Sequence, residues 1–280
     1  MGMNSGKRCI VLLPLGLWTS MVCLGQFPWT EPVFHQAGND TIVSVEAPRP
    51  LWFAEQAMTY RFAWTIDYED PVYAPAETRD FSAPQWKREH PGQPGLLGPS
   101  GGKFTANLGA IDKLHPNEEM LLGKLVRQYN DAQNPGYFRL LHLHDQVWLI
   151  SGWSRTQGRA IQPSIFDQSI SVSNKPVDGN TALRNLATLC GQAGGIPIQI
   201  GFGPSPALEA VTLPGATVKM TCRERLMQIL TSLRSRQSYS LLYDISSRTY
   251  YLSISPVGKI VTGADGMPTF APDDKSAPQQ

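Results

Sequence analysis

Two stretches of this chain run through the same order of elements, and that internal repeat constrains the fold more than any composition does. In the first, "TIVSVEAP" turns Ile42, Ser44 and Glu46 one way and Val43 and Val45 the other, the period of a strand. Pro48 and Pro50 break it. "LWFAEQAMTYRF" then sets Phe53, Ala57 and Tyr60 on one helical face, and Trp64, Ile66 and Tyr68 alternate into a strand that stops at Pro71.

The second stretch, "QSISVSNKPVDGNTALRNLATLCGQAGGIPIQIGFGP", has a strand around Ile170 to Val172, a turn at Pro176 and a helix from about Thr181. Leu183, Ala187 and Cys190 fall 130 residues after Phe53, Ala57 and Tyr60. Ile196, Ile198 and Ile200 fall 132 after Trp64, Ile66 and Tyr68, so two residues slip at the helix exit, where Gly191, Gly194 and Gly195 supply the C-cap. The later halves correspond too. "KFTANL", "PNEEMLLGKLVRQYNDAQNPG" and "YFRLLHLHDQVWLI" read strand, helix, hairpin, and "AVTLPGATV", "TCRERLMQILTSLRSRQ" and "SYSLLYDISSRTYYLSI" repeat that order. Leu140 and Leu141 align with Leu241 and Leu242 at an offset of only 101. The first copy therefore carries about thirty extra residues, the Pro/Gly-rich segment between Ala74 and Gly102.

Each copy is a βαββαββ unit. Helices with one apolar face need a sheet to cover them, so the predicted class is α+β: two tandem small domains, each a short sheet with two helices on one face. The expected boundaries are 40–152 for the first domain with its loop at 74–102, 153–167 for a linker, 168–256 for the second domain and 257–280 for a flexible tail. With 280 residues, 41% of them hydrophobic, the chain has enough apolar surface for a real core.

Residues 1–25 have a signal-peptide layout: Lys7 and Arg8 precede an apolar run from Cys9 to about Leu24, followed by Gly25. Cleavage there would leave Gln26 first; an uncleaved anchor and a lipoprotein signal at Cys23 are the alternatives, the latter disfavoured by Val22. No other stretch is long and apolar enough to span a membrane, so an exported chain is expected, periplasmic or envelope-associated. A net charge of +1 without a Lys/Arg run gives no field for nucleic acid. Removing the leader leaves two cysteines, Cys190 and Cys222, which read either as a disulfide of an oxidising compartment or as two buried thiols.

The second copy, with Ala182, Leu183, Leu186 and Ala187 in "TALRNLATLCGQAG" and Leu226, Met227, Ile229 and Leu230 in the later helix, resembles the short N-terminal domain of secretins and TonB-dependent receptors. The first copy looks like a divergent member, and its "RFAWTIDYEDPVY" is similar to a segment of uncharacterised exported bacterial proteins. The resemblance covers about residues 40 to 256 and implies a periplasmic module that contacts envelope proteins, without the secretin pore or the receptor barrel.

Residues that could carry chemistry read mostly as structure. Glu69 and Asp70 are adjacent on an extended segment, where neighbours point to opposite faces, so turn formation is expected rather than a shared ligand. His142 and His144 share a strand face but lack further ligands, so no metal site is expected. "GPSGGKF" fails the phosphate-loop pattern at Leu97 and Phe104, and "HPNEEML" reads as a helix start capped by Asn117, with Glu118 and Glu119 favouring the dipole. The expected protein is not an enzyme, takes no cofactor and binds partner proteins. Tyr73, Phe81 and Trp86 around the long loop are its candidate binding residues, with cell-wall glycan or small-ligand binding as the second class and an enzyme of unknown type as the third.

Overall fold

The computed structural model describes residues 30–93, 95–112, 115–156, 159–172, 175–214, 219–262 and 268–272. The signal-like segment 1–25 lies outside them. Strand β1 (Thr30–Ala37) turns back into β2 (Asp40–Ala47), so the first unit begins ten residues before the expected boundary at 40. Helix α1 (Pro50–Phe62) opens on a proline at its first position, where the missing N–H is no loss. It leads to β3 (Thr65–Glu69).

The 74–102 insertion is a small folded appendage: β4 (Thr78–Asp80), α2 (Pro84–Glu89) and β5 (Leu97–Pro99), with β4 and β5 paired. Then come β6 (Gly102–Gly109), α3 (Glu118–Asp131), β7 (Tyr137–His144) and β8 (Val147–Thr156). Asn117 caps α3 as expected, its side-chain oxygen accepting from the Met120 amide at 2.9 Å.

Described residues of the predicted linker carry structure. β9 (Arg159–Gln162) pairs with the end of β8, and Ile165 and Phe166 enter the core. The second unit follows: β10 (Ser169–Ser171), β11 (Val177–Asp178), α4 (Gly179–Gly194), β12 (Ile198–Ile200), α5 (Ser205–Glu209), β13 (Thr212–Leu213), β14 (Lys219–Thr221), α6 (Cys222–Thr231), β15 (Gln237–Asp244) and β16 (Thr249–Pro256). Asp178 caps α4 through the Thr181 amide, and Thr221 and Glu224 form a capping box on α6. In place of a wholly flexible tail, β17 (Gly258–Thr262) and β18 (Pro268–Pro272) form a hairpin whose Phe270 ring lies edge-on to Tyr60 of α1. None of the described helices is long and apolar enough to cross a membrane.

The class is α+β, but each unit divides its strands among more than one sheet where one was expected, with β11 and β13 a further separate pair in the second. In the first, β2 pairs with β6 while β3, β8 and β7 form a separate sheet; in the second, β10 pairs with β14 while β12, β16 and β15 do the same. The first core cluster draws on both sheets and both helices, through Val43, Phe104, Leu51, Leu122, Ile66 and Ile150 among others. A helix pair with apolar residues over more than a narrow stripe is covered by two small sheets rather than one.

Two strand pairs correspond in register. β3 runs parallel to β8 with Ile66 opposite Trp148 and Tyr68 opposite Ile150; β12 runs parallel to β16 with Ile198 opposite Tyr250 and Ile200 opposite Leu252. The helix offset of 130 is corrected to 132. Leu51, Ala54 and Met58 are the buried α1 residues, matching Leu183, Leu186 and Cys190, whereas Phe53, Ala57 and Tyr60 are only partly buried. The C-caps agree as well: Ala63 and Gly195 both take the left-handed conformation, at φ 57° and 69°. No slip occurs at the helix exit. Gly195 alone supplies the cap, while Gly191 and Gly194 lie inside α4.

The two units are joined along a sheet edge. β15 of the second adds in parallel to β3 of the first, with Ser240 opposite Tyr68 and Leu241 opposite Glu69, so one sheet runs β12-β16-β15-β3-β8-β7. β15 packs both ways: Leu241 joins the second unit's cluster, and its neighbour Leu242 packs against the first unit's.

Candidate functional site

The chemistry-bearing side chains converge at the seam between β3 and β15. β3 is buried along its whole length, yet its sequence is TIDYE, and Asp70 follows directly. Burying carboxylates is costly unless each is hydrogen-bonded or paired with a cation. Asp70 accepts from Arg49 Nε at 2.7 Å, from the Tyr73 and Tyr68 hydroxyls at 2.6 and 3.0 Å, and from the Tyr243 amide at 3.0 Å. Arg49 also donates through Nη2 to the Tyr243 carbonyl at 2.5 Å, which ties the start of α1 to the incoming strand.

Glu69 points the other way. It takes Arg223 of α6 in a two-pronged contact, Nε to Oε1 at 3.1 Å and Nη2 to Oε2 at 2.8 Å, and accepts from the Tyr239 hydroxyl at 2.6 Å. Arg223 Nη1 bonds Asp167 as well. Burial by itself would lower the Arg223 pKa, but Glu69, Tyr239 and Asp167 outweigh it, and the guanidinium is held firmly charged. Asp67 accepts the Tyr239 amide at 3.0 Å on Oδ1, whereas Oδ2 is buried without a partner among the described residues. Burial, aided by the nearby Glu69 and Glu55, pushes its pKa well above the usual carboxylate range.

Glu69 and Asp70 thus serve opposite faces, as their spacing predicts, but they form the joint between the two units instead of a turn. Their oxygens accept from donors of the chain itself, an arrangement that clamps strands. Among the described residues no group of three or more His, Cys, Asp or Glu side chains is placed to hold a metal ion.

The three candidate binding aromatics are not brought together. Tyr73 is a core residue, 6% exposed, spent on Asp70. Phe81 is half-buried beneath the Arg79 guanidinium, 5.4 Å from its ring centre, and against Gly98. Trp86 stacks on His90 in α2, with ring centres 4.8 Å apart. The appendage that carries Phe81 and Trp86 is fastened to the second unit, where Ser246 accepts from the Leu97 amide and donates to the Gly95 carbonyl. Cys190 and Cys222 are disulfide-bonded, joining α4 to α6 with Cα atoms 5.9 Å apart. His142 lies against Trp148, and a bulge separates it from His144.

The two outer edges of the long sheet differ sharply. At β7, the Asn130 side chain of α3 accepts from the Phe138 amide at 3.0 Å and donates to its carbonyl at 2.8 Å, and the bulge at His142/His144 interrupts the rest. Both devices blunt an edge against further strands. At β12, the Pro197 carbonyl and the Gly201 amide bond β16, so by alternation Ile198 and Ile200 turn their backbone groups to the open side. No second strand pairs with β12 among the described residues. Beside it lies a groove of about 380 Å³ lined by Asn180, Leu183, Arg184, Ile200, Gly203 and Leu208.

Comparison with family models, curated proteins and solved structures finds no match. The residues that sequence reasoning missed are Arg49, Arg223 and Arg184. The first two had one available signal: a strand with two acids and a third directly after it must meet cations somewhere in the fold.

Proposed function

We propose that the chain is an exported, non-catalytic protein of the cell envelope, built from two divergent copies of a βαββαββ module resembling the secretin and TonB short domain, and that it acts as an adaptor by binding other envelope proteins. The observation that carries this reading is the seam. β15 already adds to the β3 edge within the chain, and that contact supports docking by strand addition as the mode of binding. The acidic residues that would otherwise suggest chemistry are consumed in holding that strand. Export is supported by the signal-like leader and by a Cys190–Cys222 bond suited to an oxidising compartment.

The test is chemical cross-linking in the native host, then recovery of the tagged protein and mass spectrometry of what accompanies it. A recurring envelope protein is the expected result. Recovery of the chain alone, together with co-sedimentation with purified peptidoglycan, would replace the adaptor role by glycan binding.

A further inference from the structure

We propose that the open edge of β12 and the groove beside it form the docking site for an extended segment of a different protein, which pairs in parallel with β12, seats an apolar side chain in the groove and sets a carboxylate against Arg184. This rests on the binding role above and assigns it a place and a ligand chemistry.

The first argument is equivalence. β12 stands in the second unit where β3 stands in the first, each parallel to the last strand of its own hairpin in matching register. In the first unit that edge receives β15 in parallel, with Ser240 opposite Tyr68 and Leu242 turned into the first core. The residue equivalent to Tyr68 is Ile200, so an incoming strand in the same register places its counterpart of Leu242 at the level of Phe202 and Gly203. The groove lies at that level.

The second argument is what replaces the clamp. At the offset of 132, Asp67, Glu69 and Asp70 become Gln199, Gly201 and Phe202. The acids that hold β15 are gone: a neutral amide, a glycine and the exposed Phe202 take their place, beside Ile198 and Ile200, which pack against the second cluster. An edge of this composition suits an exchangeable partner. Arg184 occupies the position of Trp52 and is exposed, with no side-chain hydrogen bond or ion pair among the described residues, so it offers a free cation at the wall of a groove whose other lining is Leu183, Ile200, Gly203, Leu208 and Asn180, the last bonded to Glu209. A second copy of this chain is a poor occupant, because β7, the counterpart of β15, has its Phe138 groups covered by Asn130.

The probe is a synthetic peptide of the β15 segment, QSYSLLYD, which carries Leu242 and, two residues on and on the same face, Asp244. Titrated into the isotope-labelled full chain, it is expected to shift the amide resonances of Ile198 to Gly203 and of Arg184, leaving those of β7 unmoved. Arg184→Glu should weaken binding roughly fivefold, as for loss of an exposed ion pair, and the peptide QSYSLLYK should restore it. Replacing the Leu242 counterpart by Ser should abolish the shifts. Absence of shifts at β12, shifts confined to the β3 seam, or indifference to both substitutions would overturn the proposal. A photo-cross-linkable side chain at Gln199, compared in the host with one at Arg139, separates the two readings. Adducts at Arg139 but not at Gln199 would overturn the β12 assignment and leave the adaptor role standing, whereas no adduct at either position would remove support for both.

Discussion

Arg223 grips Glu69 through two hydrogen bonds of 3.1 and 2.8 Å, although the two residues stand 154 apart in sequence and belong to different copies of the repeat. The Glu69 side chain is fully buried and that of Arg223 is 12% exposed. Removing one partner of such a pair strands the other charge in the interior. Arg223→Ala is therefore expected to lower stability by about 3–5 kcal/mol, measured by urea denaturation. A loss within 1 kcal/mol, the size expected of a solvent-screened surface pair, would mean that the seam does not depend on this contact.

Glu55 gives the protein a pH dependence of definite sign. It is buried in α1 without a cation, receives hydrogen bonds from Thr59 and Gln56, and burial pushes its pKa from 4.5 up to about 8. Between those values the folded state keeps a proton that the unfolded state releases, so stability falls as pH rises from about 4.5 to about 8 and levels off above. Asp67, also raised by burial, acts in the same direction. Glu55→Gln should flatten part of the slope and raise stability at pH 8, as read from melting temperatures across the range. An unchanged slope would show that Glu55 ionises without cost.

Reduction of Cys190–Cys222 reopens a loop spanning 32 residues. Chain-entropy arguments put the loss at about 3–4 kcal/mol. The Cys222→Ser chain should show it as a lowered denaturation midpoint that reductant no longer changes, while the intact chain loses stability on reduction.

Gly152 lies against the end of β3. A Cβ there would strike the ring and backbone nitrogen of Pro71 and come within 2.6 Å of the Glu69 carbonyl oxygen. Gly152→Ala must push the Glu69–Pro71 segment aside, and a cost of about 1–3 kcal/mol is expected. The Tyr239 and Tyr243 amides, which bond Asp67 and Asp70, should exchange hydrogen faster in the variant. Unaltered exchange would place the strain elsewhere.

Much of this architecture was legible in the chain itself. Alternation at Ile66 and Tyr68, and again at Ile198 and Ile200, marked the paired strands, and Asn117 before Glu118 marked a helix start, because strand period and capping are set by residues a few positions apart. The helix face was misread for an equally local reason. Phe53 and Tyr60 are the larger residues, yet Leu51, Ala54 and Met58 are buried, since the face that turns inward is fixed by the sheets lying over it.

By itself the sequence determined the α+β class, the strands at Ile66–Tyr68 and Ile198–Ile200, the start of the helix after Asn117, and that Glu69 and Asp70 serve different faces. Only the tertiary structure decided that each unit splits its strands among separate sheets, that β15 enters beside β3, that Tyr73 belongs to the core, and that Asn130 covers Phe138 on β7 while no described strand pairs with the outer edge of β12. The physical reason is range. Periodicity and caps are written within one turn or one strand, whereas edge pairing depends on whether residues some 170 apart, such as Asp67 and Tyr239, meet with complementary groups, and no local pattern records that.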